Sequence, residues 1–125
     1  MIVGIGVDLV DLSRFEQHIL DNPPLGDRLF HAKELELPMR QLAGSFAAKE
    51  ALVKALGGPY GLSWTEIYVQ RDNAGKPWLE AEGASAERLR EAGVDKLHLS
   101  ISHDGGMLTA YVIAENLTPE GGQVA

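Results

Sequence analysis

The stretch LAGSFAAKEALVKAL, residues 42–56, decides how the rest of the chain is read. Alanine and leucine dominate it, no proline interrupts it, and Gly57-Gly58-Pro59 follows it. Those features predict one long helix with a sharp stop. Phe46, Glu50 and Lys54 fall on one stripe of that helix, while Leu42, Ala43, Val53 and Leu56 cover much of another. Upstream, residues 2–8 (IVGIGVD) are short, β-branched and glycine-rich, which suits a buried strand ending near Asp8 and Asp11. A helix is expected over residues 12–21, with Leu12, Phe15 and Ile19 on one face and Pro23-Pro24 ending it. Residues 25–38 have no clear period.

Downstream the pattern changes to strands. Residues 64–71 and 77–81 read as two strands around the turn Asp72-Asn73-Ala74-Gly75. Residues 84–92 suit a helix closed by Gly93. Residues 97–102 and 108–115 suit a hairpin turning at Asp104-Gly105-Gly106. A strand and helices followed mostly by hairpins predicts an α+β fold with an antiparallel sheet packed against the long helix. The expected organisation is one domain over residues 1–115 and a polar C-terminal tail over residues 116–125.

Composition narrows the function. The chain has 125 residues, of which 45% are hydrophobic, enough for one small core that would gain from burial in an oligomer. Its formal net charge of -7 argues against general nucleic-acid binding, which needs a basic face. It contains no cysteine, which removes disulfides, thiolate metal sites and cysteine nucleophiles, and fits a cytoplasmic enzyme. No apolar run reaches the ~20 residues of a membrane helix. The N-terminus has no basic region before its apolar stretch, so no signal peptide is expected.

Two carboxylates stand out. Asp8 ends a buried strand, and Glu50 interrupts a small, apolar helix. From two separate elements they suit one hard cation, and magnesium in particular, which keeps several waters and uses few protein ligands. Ordinary roles compete: Asp8 as a turn or cap residue, and Glu50 as an i, i+4 surface pair with Lys54. Lys49 and Lys54 are candidate phosphate contacts, with simple solvation as the alternative. Gly4 and Gly6 form a lone G-x-G, better explained by close packing than by phosphate binding. Ser102 and His103 are strand neighbours that point to opposite faces, which argues against a nucleophile and base pair.

Taken together, five stretches resemble the holo-acyl-carrier-protein synthase family. They are Gly4-Ile5-Gly6-Val7-Asp8-Leu9 with Arg14-Phe15; Phe30 with Glu34; Leu42-Ala43-Gly44 with Phe46-Ala47-Ala48-Lys49-Glu50-Ala51 and Lys54-Ala55; Gly75-Lys76-Pro77; and Ser100-Ile101-Ser102-His103. They stand in the family's order and span residues 2–115.

The resemblance implies a phosphopantetheinyl transferase fold, usually assembled as a homotrimer with an active site at each subunit interface. It implies Asp8 and Glu50 as ligands of Mg2+, with coenzyme A as the substrate bound through its pyrophosphate. A serine of an acyl carrier protein would attack, and adenosine 3′,5′-bisphosphate would leave, in the service of fatty-acid or polyketide synthesis. Lys54 would pair with phosphate oxygens. Glu50, or a water near it, would take the serine proton. His103 and Lys49 would lie in the coenzyme A site. Arg14, aided by Arg28 and Arg40, would meet the acidic helix of the carrier protein.

Two positions depart from the family. Ser45 stands where an arginine is common, putting one phosphate or structural contact in doubt. His31 stands where a threonine is common, so the cap there is expected to differ. Rival readings are another magnesium enzyme, such as a phosphatase or nucleotidyl enzyme, and an inactive scaffold that binds carrier proteins.

Overall fold

A computed structural model describes residues 1–118. The long helix predicted from residues 42–56 is α3, Met39–Leu56, and the other elements pack around it. Gly57 ends it in the left-handed region at φ 79°, and the Gly58 N–H reaches back to the Val53 carbonyl.

Strand β1 (Ile2–Asp11) runs along α3. It pairs antiparallel with β5 (Met107–Glu115), which pairs antiparallel with β4 (Lys96–Asp104), giving the order β1-β5-β4. The G-x-G of β1 is a packing device. A Cβ on Gly6 would stand 1.9 Å from the Ala51 carbonyl oxygen, and one on Gly4 1.8 Å from that of Ala55. Only glycine lets this strand lie directly on the helix backbone. On the helix side, Ala47, Ala51 and Ala55 keep the same approach open. Strand and helix are thereby locked in register, and Asp8 is carried to the level of Glu50.

Gly105 and Gly106 turn β4 into β5, with Gly105 at φ 60°. This is the predicted hairpin, and glycine at the first central position suits its twist. Helix α1 (Leu12–Asp21) follows β1 without a loop, because the Asp11 side chain accepts from the Arg14 N–H at 3.0 Å and caps it. Phe15 on α1 packs against Phe30 and Phe46, at centroid distances of 6.3 and 5.4 Å.

The segment without a readable period forms a short helix, α2 (Pro24–Leu29), and a 3-10 turn over Ala32–Glu34. His31 does replace the hydroxyl cap: its Nδ1 accepts from the Lys33 N–H at 3.0 Å, while Glu34 Oε1 accepts from the His31 N–H at 3.1 Å.

The expected strand over residues 64–71 is shorter. Trp64–Glu66 makes a 3-10 turn, and β2 is Ile67–Arg71, paired antiparallel with β3 (Pro77–Ala81). The side chains at the turn explain this. Trp64 stacks on Phe46 at 5.6 Å, and Glu66 turns toward α4 (Gly83–Glu91) to accept from the Ala84 and Ser85 N–H groups. Glu66 therefore does the work of an N-cap from another element.

Of the expected C-terminal tail, Asn116 and Leu117 are tied down. Asn116 exchanges hydrogen bonds with Met1, and the Leu117 N–H donates to Asp95. Residues 119–125 lie outside the described residues. No helix of the described residues is long and apolar enough to cross a membrane.

Candidate active site

Strand alternation puts Gly4, Gly6, Asp8 and Val10 on the face of β1 turned to α3. Its first two members are the glycines that touch the helix, so the third brings a carboxylate beside Glu50. Thr109, opposite Leu9 on β5, donates its hydroxyl to the Asp8 carbonyl at 2.8 Å and holds the backbone there. The Asp8 side chain is only 14% exposed. Burial raises the Glu50 carboxyl above its ordinary 4.5; the Asp8 charge raises it further, and Lys54 partly offsets this.

Lys54 does not bridge to Glu50 as its i, i+4 spacing allows. Its Nζ donates to Asp8 Oδ1 at 3.0 Å, across from helix to strand. Its stem runs along the helix while its ammonium group, half in solvent, reaches the strand carboxylate.

Asp8, Glu50, Asp11, Arg14 and His18 open onto a cavity of about 490 Å³, whose apolar wall includes Phe15, Ile19, Leu29 and Phe46. Among the described residues no three His, Asp or Glu side chains converge as a ready metal cage. The pair nevertheless fits magnesium. Both donors are hard oxygens, the Asp8 charge adds to burial in raising the Glu50 carboxyl, so that a cation between them would relieve the repulsion, and an ammonium group already occupies one of them.

The other candidate residues separate. His103 lies near the end of β4, at a cleft of about 330 Å³ that it shares with Arg40, Arg71, Gly44 and Gly75. Arg28 is exposed on α2, and Arg40 belongs to the His103 cleft and not to the face of Arg14.

Lys49 is a correction. It is 1% exposed and donates to Glu34 Oε1 at 2.6 Å, the Leu29 carbonyl at 2.9 Å and the Trp64 carbonyl at 3.1 Å. All three of its N–H groups are used, so none is left for a phosphate. Burial lowers its pKa and Glu34 opposes the shift. This residue joins α2, the 3-10 turns and α3 in the core, and is neither the phosphate contact nor the solvated lysine that the sequence offered.

Arg71 was missed by sequence reasoning. It closes β2 immediately before the Asp72–Gly75 turn, and its closeness to Gly75-Lys76-Pro77 was the available signal.

Comparison with known proteins places the chain in a family. Residues 4–114 match the 4'-phosphopantetheinyl transferase superfamily. A holo-[acyl-carrier-protein] synthase of Clavibacter michiganensis subsp. michiganensis is 50% identical over 119 residues, covering 95% of this chain and all of that protein. The crystal structure of the Neisseria meningitidis holo-[acyl-carrier-protein] synthase superposes with a TM-score of 0.83 at 33% identity, covering 93% of this chain and 100% of that one. The Bacillus anthracis synthase, in complex with CoA (3',5'-ADP), gives a TM-score of 0.73 at 33% identity over 93% of this chain and 98% of its own. With a family match over most of its length, close relatives and a shared fold, the chain belongs to the 4'-phosphopantetheinyl transferase superfamily, among its holo-[acyl-carrier-protein] synthases.

Proposed function

We propose that this chain transfers 4'-phosphopantetheine from coenzyme A to a serine of an apo-acyl carrier protein, releasing adenosine 3',5'-bisphosphate. The observation that carries the reading is Asp8 and Glu50 side by side at a large cavity, with Glu50 held toward its protonated form by burial and by Asp8. Asp8 and Glu50 are the residues that would hold Mg2+, which supplies charge neutralisation on the pyrophosphate of the donor.

The chain's own groups account for the remaining work. Lys54, exposed and paired only with Asp8 among the described residues, turns to a phosphate oxygen when a cation takes its place on the carboxylate. The serine Oγ forms a bond to the β-phosphorus as the bond to the departing adenosine 3',5'-bisphosphate breaks. Glu50, or a water held against it, receives the serine proton; a carboxyl raised toward neutral pH is better suited to that exchange than an ordinary one. Arg14, exposed at the cavity rim on α1, offers positive charge to an acidic carrier that the net charge of -7 would otherwise repel. The cleft of Arg40 and His103 takes the remaining phosphate of coenzyme A.

The carboxylate cavity lies at the β1 side of the three-stranded sheet and the basic cleft at the β4 side. A ring of copies, each presenting one side to the next, joins the two half-sites at every contact. The outer sheet face supports this assembly, here taken as a homotrimer: Ile5, Val7 and Leu9 of β1 and Tyr111 of β5 are 62%, 41%, 65% and 50% exposed.

The test is intact-mass spectrometry of an apo-acyl carrier protein incubated with this protein, coenzyme A and magnesium, beside a chelator control. A phosphopantetheine adduct that disappears with chelator is expected. No adduct on any carrier, from a folded protein that still binds them, would replace the transferase by a scaffold.

A further inference from the structure

Outside the carboxylate cavity, unpaired guanidinium groups meet in one place. Arg40 and Arg71 both line the cleft of His103, and among the described residues neither belongs to an ion pair. In a chain with 18 acidic and 11 basic residues, two arginines that share one cleft with no carboxylate among its lining are conspicuous.

Arg71 is the more informative of the two. Among the described residues, the only hydrogen bond of its side chain is a long one, 3.4 Å from Nη1 to the Gly75 carbonyl. Its Nη2 stands 3.9 Å from where a Cβ on Gly44 would lie, so the guanidinium reaches across to α3. It also lines a neighbouring cavity of about 180 Å³ together with Ser45. Gly44 and Ser45 are thus the two small α3 residues that Arg71 faces, and Ser45 is 1% exposed and carries no charge. A long side chain at position 45 would enter the volume beside the Arg71 side chain.

We propose that Arg71 is the phosphate-binding guanidinium of this cleft, with Gly44 and Ser45 as the small residues that admit it, and that its ligand is the 3'-phosphomonoester of coenzyme A. This rests on the transferase reading above. There the pyrophosphate is assigned to the carboxylate site, which leaves the ester as the only other phosphate of the donor. A dianionic monoester calls for more than one positive group, and the fork of an arginine matches its oxygens two at a time. The positive charge of the cleft therefore comes from the end of β2 and not from the middle of α3.

Calorimetric titration with adenosine 3',5'-bisphosphate and with adenosine 5'-monophosphate tests this without catalysis. Arg71→Gln is expected to weaken the bisphosphate about tenfold, the loss of roughly one charge-assisted hydrogen bond, and the monophosphate less than twofold. The double variant Ser45→Arg/Arg71→Gln should recover most of the loss, because charge then enters the same volume from α3. Arg71→Lys should fall between, keeping charge without the fork. Equal weakening of both nucleotides, a double variant no better than Arg71→Gln, or no preference of the parent protein for the bisphosphate would overturn the assignment. If the parent discriminates between the nucleotides but modifies no carrier, the phosphate site stands and the transferase reading fails by itself.

Discussion

Asp8 and Glu50, the proposed ligands of the metal, sit in an environment that makes separable predictions. Asp8→Ala and Glu50→Gln are each expected to abolish phosphopantetheine transfer by mass spectrometry while circular dichroism stays native. Full activity in either would remove the metal assignment. Glu50 also links the site to pH. Its folded carboxyl titrates above the ordinary 4.5, so in the interval above 4.5 the folded chain keeps a proton that the unfolded chain has released. The contribution of Glu50 to the stability of the metal-free protein then falls as pH rises through that interval. Glu50→Gln should flatten this fall and melt above the parent at pH 7 without metal. Magnesium should raise the melting temperature of the parent and not of the variant. A stability difference between parent and Glu50→Gln that does not change through this pH range would contradict the assigned shift. The candidacy of these two residues was legible in the sequence, since a carboxylate among alanines and another at a strand end are both conspicuous. The partner of Lys54 was not, because i, i+4 spacing on one helix says nothing about a strand lying against it.

Among the elements, α3 performs two tasks on its two sides. Glu50 faces the cavity and Lys54 reaches Asp8 across from it, while Lys49, next to Glu50 in the chain, anchors the core through Glu34. That ion pair is 1% exposed at both ends, and Glu34 also accepts from the Val69 N–H at 3.0 Å and the His31 N–H at 3.1 Å. Removing one partner leaves a buried charge unpaired, which costs about 3–5 kcal/mol. Glu34→Ala should therefore lower unfolding free energy in urea by about that amount, and far more than Lys54→Ala. Equal costs would mean that Glu34 and Lys49 are solvated in solution. On α1 the Asp11 cap sets where the helix begins and so which way Arg14 points. Arg14→Glu is expected to raise the KM for the carrier protein severalfold with little change in that for coenzyme A. A parallel rise in both would place Arg14 in the nucleotide site. Elements with a strong period or a terminal glycine were readable in advance, whereas Trp64–Glu66 and α2 were not. Their backbones are decided by what Trp64, Glu66 and Phe30 pack against or hydrogen-bond, and not by neighbours in the chain.

The molecule as a whole leaves a β1-β5 face of large apolar side chains uncovered, with Val7 opposite Tyr111 in register. Analytical ultracentrifugation is expected to find trimers, and Val7→Glu together with Leu9→Lys should shift them to monomers and abolish transfer with the helix content retained. A fully active monomer would show that one copy completes the site alone. At this scale the division between sequence and structure has a physical basis. Local pattern by itself determined the long helix, the glycine-bearing first strand, the final hairpin and the α+β class, because these follow from spacing, turn chemistry and helix stops within a few residues. It also carried the family motifs and hence the candidate carboxylates. Only the tertiary structure decided that Lys49 is a core residue, that Lys54 serves Asp8, and that Arg71 joins Arg40 and His103 across three elements. Those outcomes depend on which surfaces meet, and the meeting is set by close contacts such as Gly6 on Ala51, between residues 45 positions apart.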